Sequence, residues 1–249
     1  MLVLLPPSET KRPGGDGPPL DLNRLALPSL REAREKVVDA LVALAADEET
    51  AARVLKLGEK RRHEIADDAA LRTAATMPAI DRYTGVLFDA LDAATLDADA
   101  RAWLGEHVMI QSAPLGPVGA LDGIPPYRLA AGTSIPGLPA LRRVWAGAVS
   151  DALASLRPSF VLDLRSEAYA SLGPVPTEVA SVYVRVVTPG EDGTVRALNH
   201  FNKHAKGDLV RSLALTRPRI ESLDELRRWA GAEGWTLGAA DANEIALII

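Results

Sequence analysis

Cysteine is absent from the 249-residue chain, which excludes disulfides, zinc-thiolate centres and thiol catalysis. Nowhere do eighteen apolar residues run together, so no segment reads as a bilayer-spanning helix. A surplus of positive charge is missing as well. The formal net charge of -5 argues against an evenly basic nucleic-acid binder, because phosphate affinity comes from displaced counterions and needs clustered cations. The opening Met1-Leu-Val-Leu-Leu-Pro-Pro has no basic leader, and proline breaks it early. It reads as a first strand and not as a signal peptide, which makes a cytoplasmic protein the expectation. There is no Ser-His-Asp order, no Walker loop, no glycine-rich dinucleotide fingerprint, no internal repeat and no low-complexity linker.

What is there suffices for a core: 47% of residues are apolar and 24% charged, the usual mix of a globular chain. Strands are expected at Leu2–Leu5, 107–110, Phe160–Leu164, 235–237 and 245–249, with a hairpin formed by 181–187 and 196–201. Apolar residues at helical spacing predict helices over 30–46, 49–57 closed by Gly58, 96–106 capped by Thr95, 138–156 and 205–216. The capping box Ser222-x-x-Glu225 opens one more helix. Between 112 and 136 lies a long loop dense in glycine and proline, a length usually functional in a compact domain. Strands and helices interleave from end to end, and both terminal strands are apolar. The fold class is therefore α/β, a single domain over 1–249 with a mixed central sheet, surrounding helices and termini that share the sheet.

Two stretches gather cations on this acidic chain: Lys56, Lys60, Arg61, Arg62 and His63, and then Lys203, His204, Lys206 and Arg211. The second belongs to Asn199-His-Phe-Asn-Lys-His-Ala-Lys-Gly207. His200 and His204 stand four apart, but a strand ending at His200 would break that spacing and no glutamate follows it. No metal or cofactor is expected. Lys203, Lys206 and Gly207 fit a helix opening that aims free N–H groups and ammonium groups at an anion. Around Gly58, with Lys56, Lys60, Arg61 and Arg62, a helix-hairpin-helix-like turn near 49–73 would touch a DNA phosphate; a capped helix end with a basic face is the alternative.

Asp163, Arg165, Ser166 and Tyr169 follow the clearest buried strand, where α/β proteins place ligands. An inward Asp163 would need a partner such as Arg165. Tyr127 and Arg128 in the long loop would stack on and clamp a nucleotide if exposed. Glu9, Thr10 and Lys11 lie just past the first strand. Brought together with Tyr127, Asp163 and Lys203, they hold the carboxylate, phenol and ammonium groups of an acid–base active site.

Five segments in order resemble the YaaA family of peroxide-stress-response proteins. They are Pro7-Ser8-Glu9-Thr10-Lys11, Tyr83-Thr84-Gly85, Pro126-Tyr127-Arg128-Leu129, Asp163-Leu164-Arg165-Ser166-x-x-Tyr169 and Phe201-x-Lys203-x-Ala205-Lys206-Gly207. The resemblance implies one mixed α/β domain of the YaaA-like fold and a cytoplasmic role in limiting oxidative damage and free iron. It also implies DNA binding through a helix-hairpin-helix element and a basic cleft. Ser8, Thr10, Lys11, Tyr83, Arg128, Arg165, Ser166, Tyr169, Lys206, Gly207 and Arg211 then become ligand or anion contacts. Glu9 stands where the family pattern has lysine, and Leu115 where it has an aromatic ring. Two functions follow as expectations for a monomer: a stress protein that binds DNA or another phosphate-bearing ligand, or an enzyme acting on a small nucleotide-like or aromatic substrate.

Overall fold

In the computed structural model, residues 1–189, 195–196, 199–241 and 243–249 are described, with side chains outside 188–201 and 239–242. Among the described residues, seven strands form the continuous path of the main sheet: β1 (Leu2–Leu5), β2 (Val108–Ser112), β3 (Gly116–Gly119), β4 (Val161–Asp163), β5 (Ser181–Pro189), β6 (Thr236–Asp241) and β7 (Glu244–Ile248). Their spatial order is β6-β7-β5-β4-β1-β2-β3. The inner five run parallel, and β6 and β3 close the two edges antiparallel. The first and last strands thus share the sheet, as their apolar runs led us to expect. Every residue of β1 is buried, which a strand covered by helices on both faces requires.

Helices Arg31–Ala45, Ala98–His107, Leu141–Leu156, Asn199–Thr216 and Leu223–Ala232 are the longest of the described helices that surround this sheet. Arg31–Ala45 buries Val37, Val38, Leu41 and Leu44 at the predicted spacing, and also Arg34. That guanidinium donates to the carbonyls of Leu115, Leu27, Ala26 and Pro117 at 2.7–3.2 Å, so peptide dipoles satisfy its donors inside the core. A second small sheet joins Gly17–Pro19, Ala75–Pro78 and Gly123–Ile124.

Several boundaries differ from expectation for local reasons. The helix expected from 96 starts at Ala98, and its cap is Asp97, whose carboxylate accepts the Ala100 N–H; Thr95 instead bonds back to Asp92. Glu48–Val54 is stopped not by Gly58 but by Lys56, which adopts the left-handed conformation (φ 56°) while Leu57 N–H reaches back to Ala52 O. Gly58 has an extended φ of -75° and opens the 3-10 turn Glu59–Glu64. The loop 112–136 is shorter than predicted because β3 and Gly123–Ile124 lie within it. Val195–Arg196 pairs antiparallel with β5, confirming a strand return, but the second arm does not extend to 201. A helix has already begun at Asn199 and runs unbroken to Thr216.

Candidate functional site

The carboxyl ends of the parallel strands β1, β2 and β4 gather residues from all five resembling segments, the last through Lys206, which reaches Leu164 O just past β4. Just past β1, Lys11 forms an isolated bridge with Tyr83. Its ammonium donates to Ser8 O (3.0 Å) and Glu9 O (3.2 Å) and lies 4.0 Å from the centre of the Tyr127 ring. Burial, and then the like charge of Arg128, lower the Lys11 pKa to about 7, against the attraction of Asp68, Glu64 and Glu9.

Beneath the amine, Tyr83 and Tyr127 share a 2.7 Å hydroxyl contact, and Ser112 at the end of β2 donates to Tyr127 at 3.1 Å. Both phenols are buried, and burial raises both well above the tyrosine range. The open nucleotide clamp expected of Tyr127 and Arg128 is therefore corrected: the tyrosine is 3% exposed and the arginine 9%. Leu115, where the family pattern has a ring, is buried too and lends its carbonyl to Arg34.

Arg128 organises the acidic side of the site. Its backbone N–H donates to Asp68 Oδ1 at 2.7 Å, its Nη2 to Glu9 at 3.1 Å, and its Nε stands 3.5 Å from Glu64. Asp68 is fully buried, and that burial pushes its carboxyl up to about 8. Burial would also raise Glu9, but Arg128, Arg61 and Lys11 outweigh it and hold this carboxylate below its usual value. Ser8 and Thr10 expose their hydroxyls, 3.2 Å apart, on the rim; Thr10 also donates to Thr84 O. Gly85 needs its φ of 95° here, and a Cβ would stand 3.3 Å from Ser8 Oγ. Asp68 and Glu64 carry no motif that sequence reading recognises. They sit on the turn and helix that follow the basic run.

The next strand end holds a separate arrangement. Arg165 is fully buried and grips Asp163 through Nε–Oδ1 (2.8 Å) and Nη2–Oδ2 (2.7 Å), while Nη1 donates to Gln111 Oε1 and Gly173 O. This is the inward ion pair foreseen for Asp163. Ser166 is exposed beside it. Tyr169, raised to about 12 by burial, feels the charges of Glu9 and Arg128 and so adjoins the Lys11 wall.

The helix Asn199–Thr216 corrects the reading of Asn199–Gly207. Lys203, Lys206 and Gly207 lie inside the helix, so no free N–H groups converge there. Lys203 is exposed. Lys206 turns inward and donates to Leu164 O at 2.9 Å. Gly207 serves packing: a Cβ on it would stand 2.2 Å from Leu87 O of the helix Val86–Leu91. Arg211 donates to Leu91 O and Asp92 O and so closes the end of that neighbouring helix. His204 pairs with Asp208 at 2.8 Å, whereas the His200 side chain lies outside the described residues. Among the described residues no three His, Asp or Glu side chains gather to hold a metal ion.

In the basic run, Arg61 binds Glu64 and approaches Glu9, and Arg62 binds Glu49 and Glu59. Lys56, Gly58, Lys60 and His63 are exposed. Two surface concavities, about 310 Å³ by Trp103, His107 and Arg217 and about 340 Å³ by Ser150 and Glu178, lie on other residues than this cluster. No described helix is long and apolar enough to cross a membrane.

Fold and site together define a mixed α/β protein that concentrates titratable side chains at the carboxyl ends of its central parallel strands. The chain belongs to the YaaA peroxide stress family: the family model described as "Peroxide stress protein YaaA" matches residues 1–240. A "UPF0246 protein" of Corynebacterium glutamicum is 45% identical over 238 residues, covering 94% of this chain and 93% of the relative. Its counterpart in Corynebacterium efficiens is 44% identical over 241 residues (95% and 94%). One in Streptomyces coelicolor is 44% identical over 230 residues (91% and 87%).

Proposed function

We propose that this family member binds a small anionic ligand against the Lys11–Asp68–Arg128 wall and transfers a proton to or from it. One observation carries the reading. Among the described residues, Asp68 Oδ2 and Arg128 Nη1 both find no hydrogen-bond partner although buried, on two residues already joined through the Arg128 N–H. Each such atom costs about 1–3 kcal/mol, so two on one wall call for a counterpart from outside the fold. Asp68 stays protonated to about 8 and Oδ1 accepts from Arg128, so the free Oδ2 bears the acid proton at neutral pH. Arg128 Nη1 is a donor as well. Two donors favour an acceptor such as a carboxylate or phosphate oxygen, with the Ser8 and Thr10 hydroxyls at the mouth. Lys11, near 7, exchanges its proton in the same range as Asp68. Closely matched titrating groups of opposite kind on one wall suit acid–base chemistry.

Duplex DNA at Lys56, Gly58, Lys60, Arg61 and Arg62 competes with this reading. Glu9, Glu49, Glu59 and Glu64 already answer the two arginines, which leaves Lys56 and Lys60 for phosphates and favours the small ligand. Thermal unfolding with inorganic phosphate, citrate, a nucleoside monophosphate and a DNA duplex separates the two. A small anion should raise Tm, and Arg128→Met should abolish the gain. Overturning results would be no response to any small anion, or tight duplex binding with a steep salt slope that Lys56→Ala and Lys60→Ala reduce.

A further inference from the structure

We infer that Lys206 is a second reactive centre, an amine that condenses with a small aldehyde or ketone to form an imine. The inference stands apart from the Lys11 wall and rests on a row of side chains that runs from the carboxyl end of β4 across the opening residues of β5 and β7. Asp163 pairs in register with Tyr183, and Tyr183 with Glu244, so the three side chains share one face of the sheet. Arg185, two residues along β5, lies on that face as well and bonds Glu244 and Glu167. The helix Asn199–Thr216 lowers Lys206 onto this row.

The amine is held but not saturated. Lys206 is 6% exposed and, among the described residues, makes one hydrogen bond, to Leu164 O, although an ammonium has three donors. Its natural counter-ion, Asp163, is already gripped at both oxygens by Arg165. The Tyr183 ring lies 5.7 Å from Nζ, with the Arg185 guanidinium 5.5 Å from the same ring. A lysine placed only to tie a helix to a carbonyl has no need of burial, and an apolar residue would fill the space at less cost. The charged groups that act on it are Asp163, itself paired with Arg165, and Arg185, itself paired with Glu167 and Glu244. Burial outweighs the attraction of Asp163, Arg185 opposes the charge, and the amine falls to about 8. That supplies roughly 300-fold more neutral amine at pH 7 than an ordinary lysine.

The step balances within these residues. The neutral amine attacks the carbonyl carbon, the C=O pair moves to oxygen, and a proton passes from nitrogen to oxygen to give the carbinolamine. The Tyr183 phenol, kept protonated by burial and by Asp163, then donates to the hydroxyl, which leaves as water while C=N forms. Asp163 offsets the charge of the iminium, whose proton returns to the tyrosinate.

Propionaldehyde and glyoxylate, each with sodium cyanoborohydride, test this on the full chain, with alkylated lysines located by peptide mass mapping. Lys203, exposed three residues earlier on the same helix, is the internal control for access. At neutral pH and limiting probe, Lys206 should be alkylated on the order of ten-fold faster than Lys203, with a rate that saturates in probe and a pH midpoint near 8. Lys206→Arg should remove the saturable component while circular dichroism stays native. Tyr183→Phe should slow it several-fold and leave Lys203 unchanged. The inference is overturned if alkylation tracks exposure, with Lys203 first and Lys206 unmodified. It is equally overturned if Lys206 reacts linearly with probe and Tyr183→Phe has no effect. None of these readouts involves Arg128, so failure here leaves the small-anion reading intact, and the reverse holds.

Discussion

Replacing Arg165 with methionine tests the buried ion pair at the end of β4. The guanidinium has no exposed surface and makes hydrogen bonds to Asp163, Gln111 and Gly173. Methionine fills much of the same volume and provides none of them. It strands the Asp163 carboxylate, itself 6% exposed, and leaves the oxygens of Gln111 and Gly173 unmet. Removing one partner of a buried pair costs about 3–5 kcal/mol, a large part of the ~5–15 kcal/mol by which a protein this size is stable. Urea unfolding should therefore show a lower midpoint with an unchanged slope. The double variant Arg165→Met/Asp163→Leu no longer strands that carboxylate, and it should recover about half of the loss or more. The orphaned Gln111 and Gly173 oxygens account for the remainder. If Arg165→Met costs less than about 1 kcal/mol, or if the two substitutions simply add, the pair does not hold the strand ends as argued.

Three further outcomes follow from local geometry. Gly207→Ala should destabilise by about 1–3 kcal/mol despite the better helix propensity of alanine, because the added carbon meets the Leu87 carbonyl; thermal unfolding reads this, and a neutral result would mean the helices move apart freely. Asp68→Asn should flatten the pH dependence of stability. The folded carboxyl holds its proton to about 8 whereas the unfolded one releases it near 4, so Asp68 stabilises fully below the lower value and loses that contribution as pH rises to the higher one. Relative to the parent, the asparagine variant should gain most near pH 9, measured by urea unfolding across pH. Lys56→Gly should stabilise by about 1 kcal/mol by relieving the left-handed φ of 56°, and a chevron should show whether the gain lies in slower unfolding; a loss of stability would mean that the lysine stem packs more than its strain costs.

The sheet was legible because its strands are short apolar runs between prolines and polar turns. The helix Arg31–Ala45 was legible because its core face repeats with the helical period. What escaped were positions where two signals compete. Asn199–Phe201 looked like the end of an alternating strand, yet good helix formers further on pull the helix start back to Asn199. Glycine at 58 looked like a helix stop, but Lys56 takes the left-handed turn two residues earlier. Within the site, Lys11, Tyr83, Tyr127, Arg128 and Asp163 were foreseen. Asp68 and Tyr183 were not, since each lies in an ordinary helix or strand pattern and gains its significance only from what the fold lays against it. Lys203 and Arg211 were foreseen and serve elsewhere: one faces solvent, and the other closes a neighbouring helix.

The buried cations explain why charge reading by sequence reaches a limit here. Arg34, Arg82, Lys11 and Lys206 are all met chiefly by peptide carbonyls. Arg82 alone donates to Ile124, Arg12, Gly14 and Ala75. A carbonyl partner leaves no trace in the sequence, because every residue carries one. Yet it differs physically from a carboxylate: it satisfies a donor without supplying a full counter-charge, so the cation stays under desolvation and its proton loosens. For guanidinium groups this changes little at neutral pH, and Arg34 falls only to about 10. For amines the same environment brings Lys11 to about 7 and Lys206 to about 8. One structural habit therefore yields inert struts where the residue is arginine and titrating groups where it is lysine. It follows that Lys11→Arg and Lys206→Arg should each preserve folding while removing the proton exchange that the native amines allow, which thermal unfolding and the pH profile of alkylation report separately.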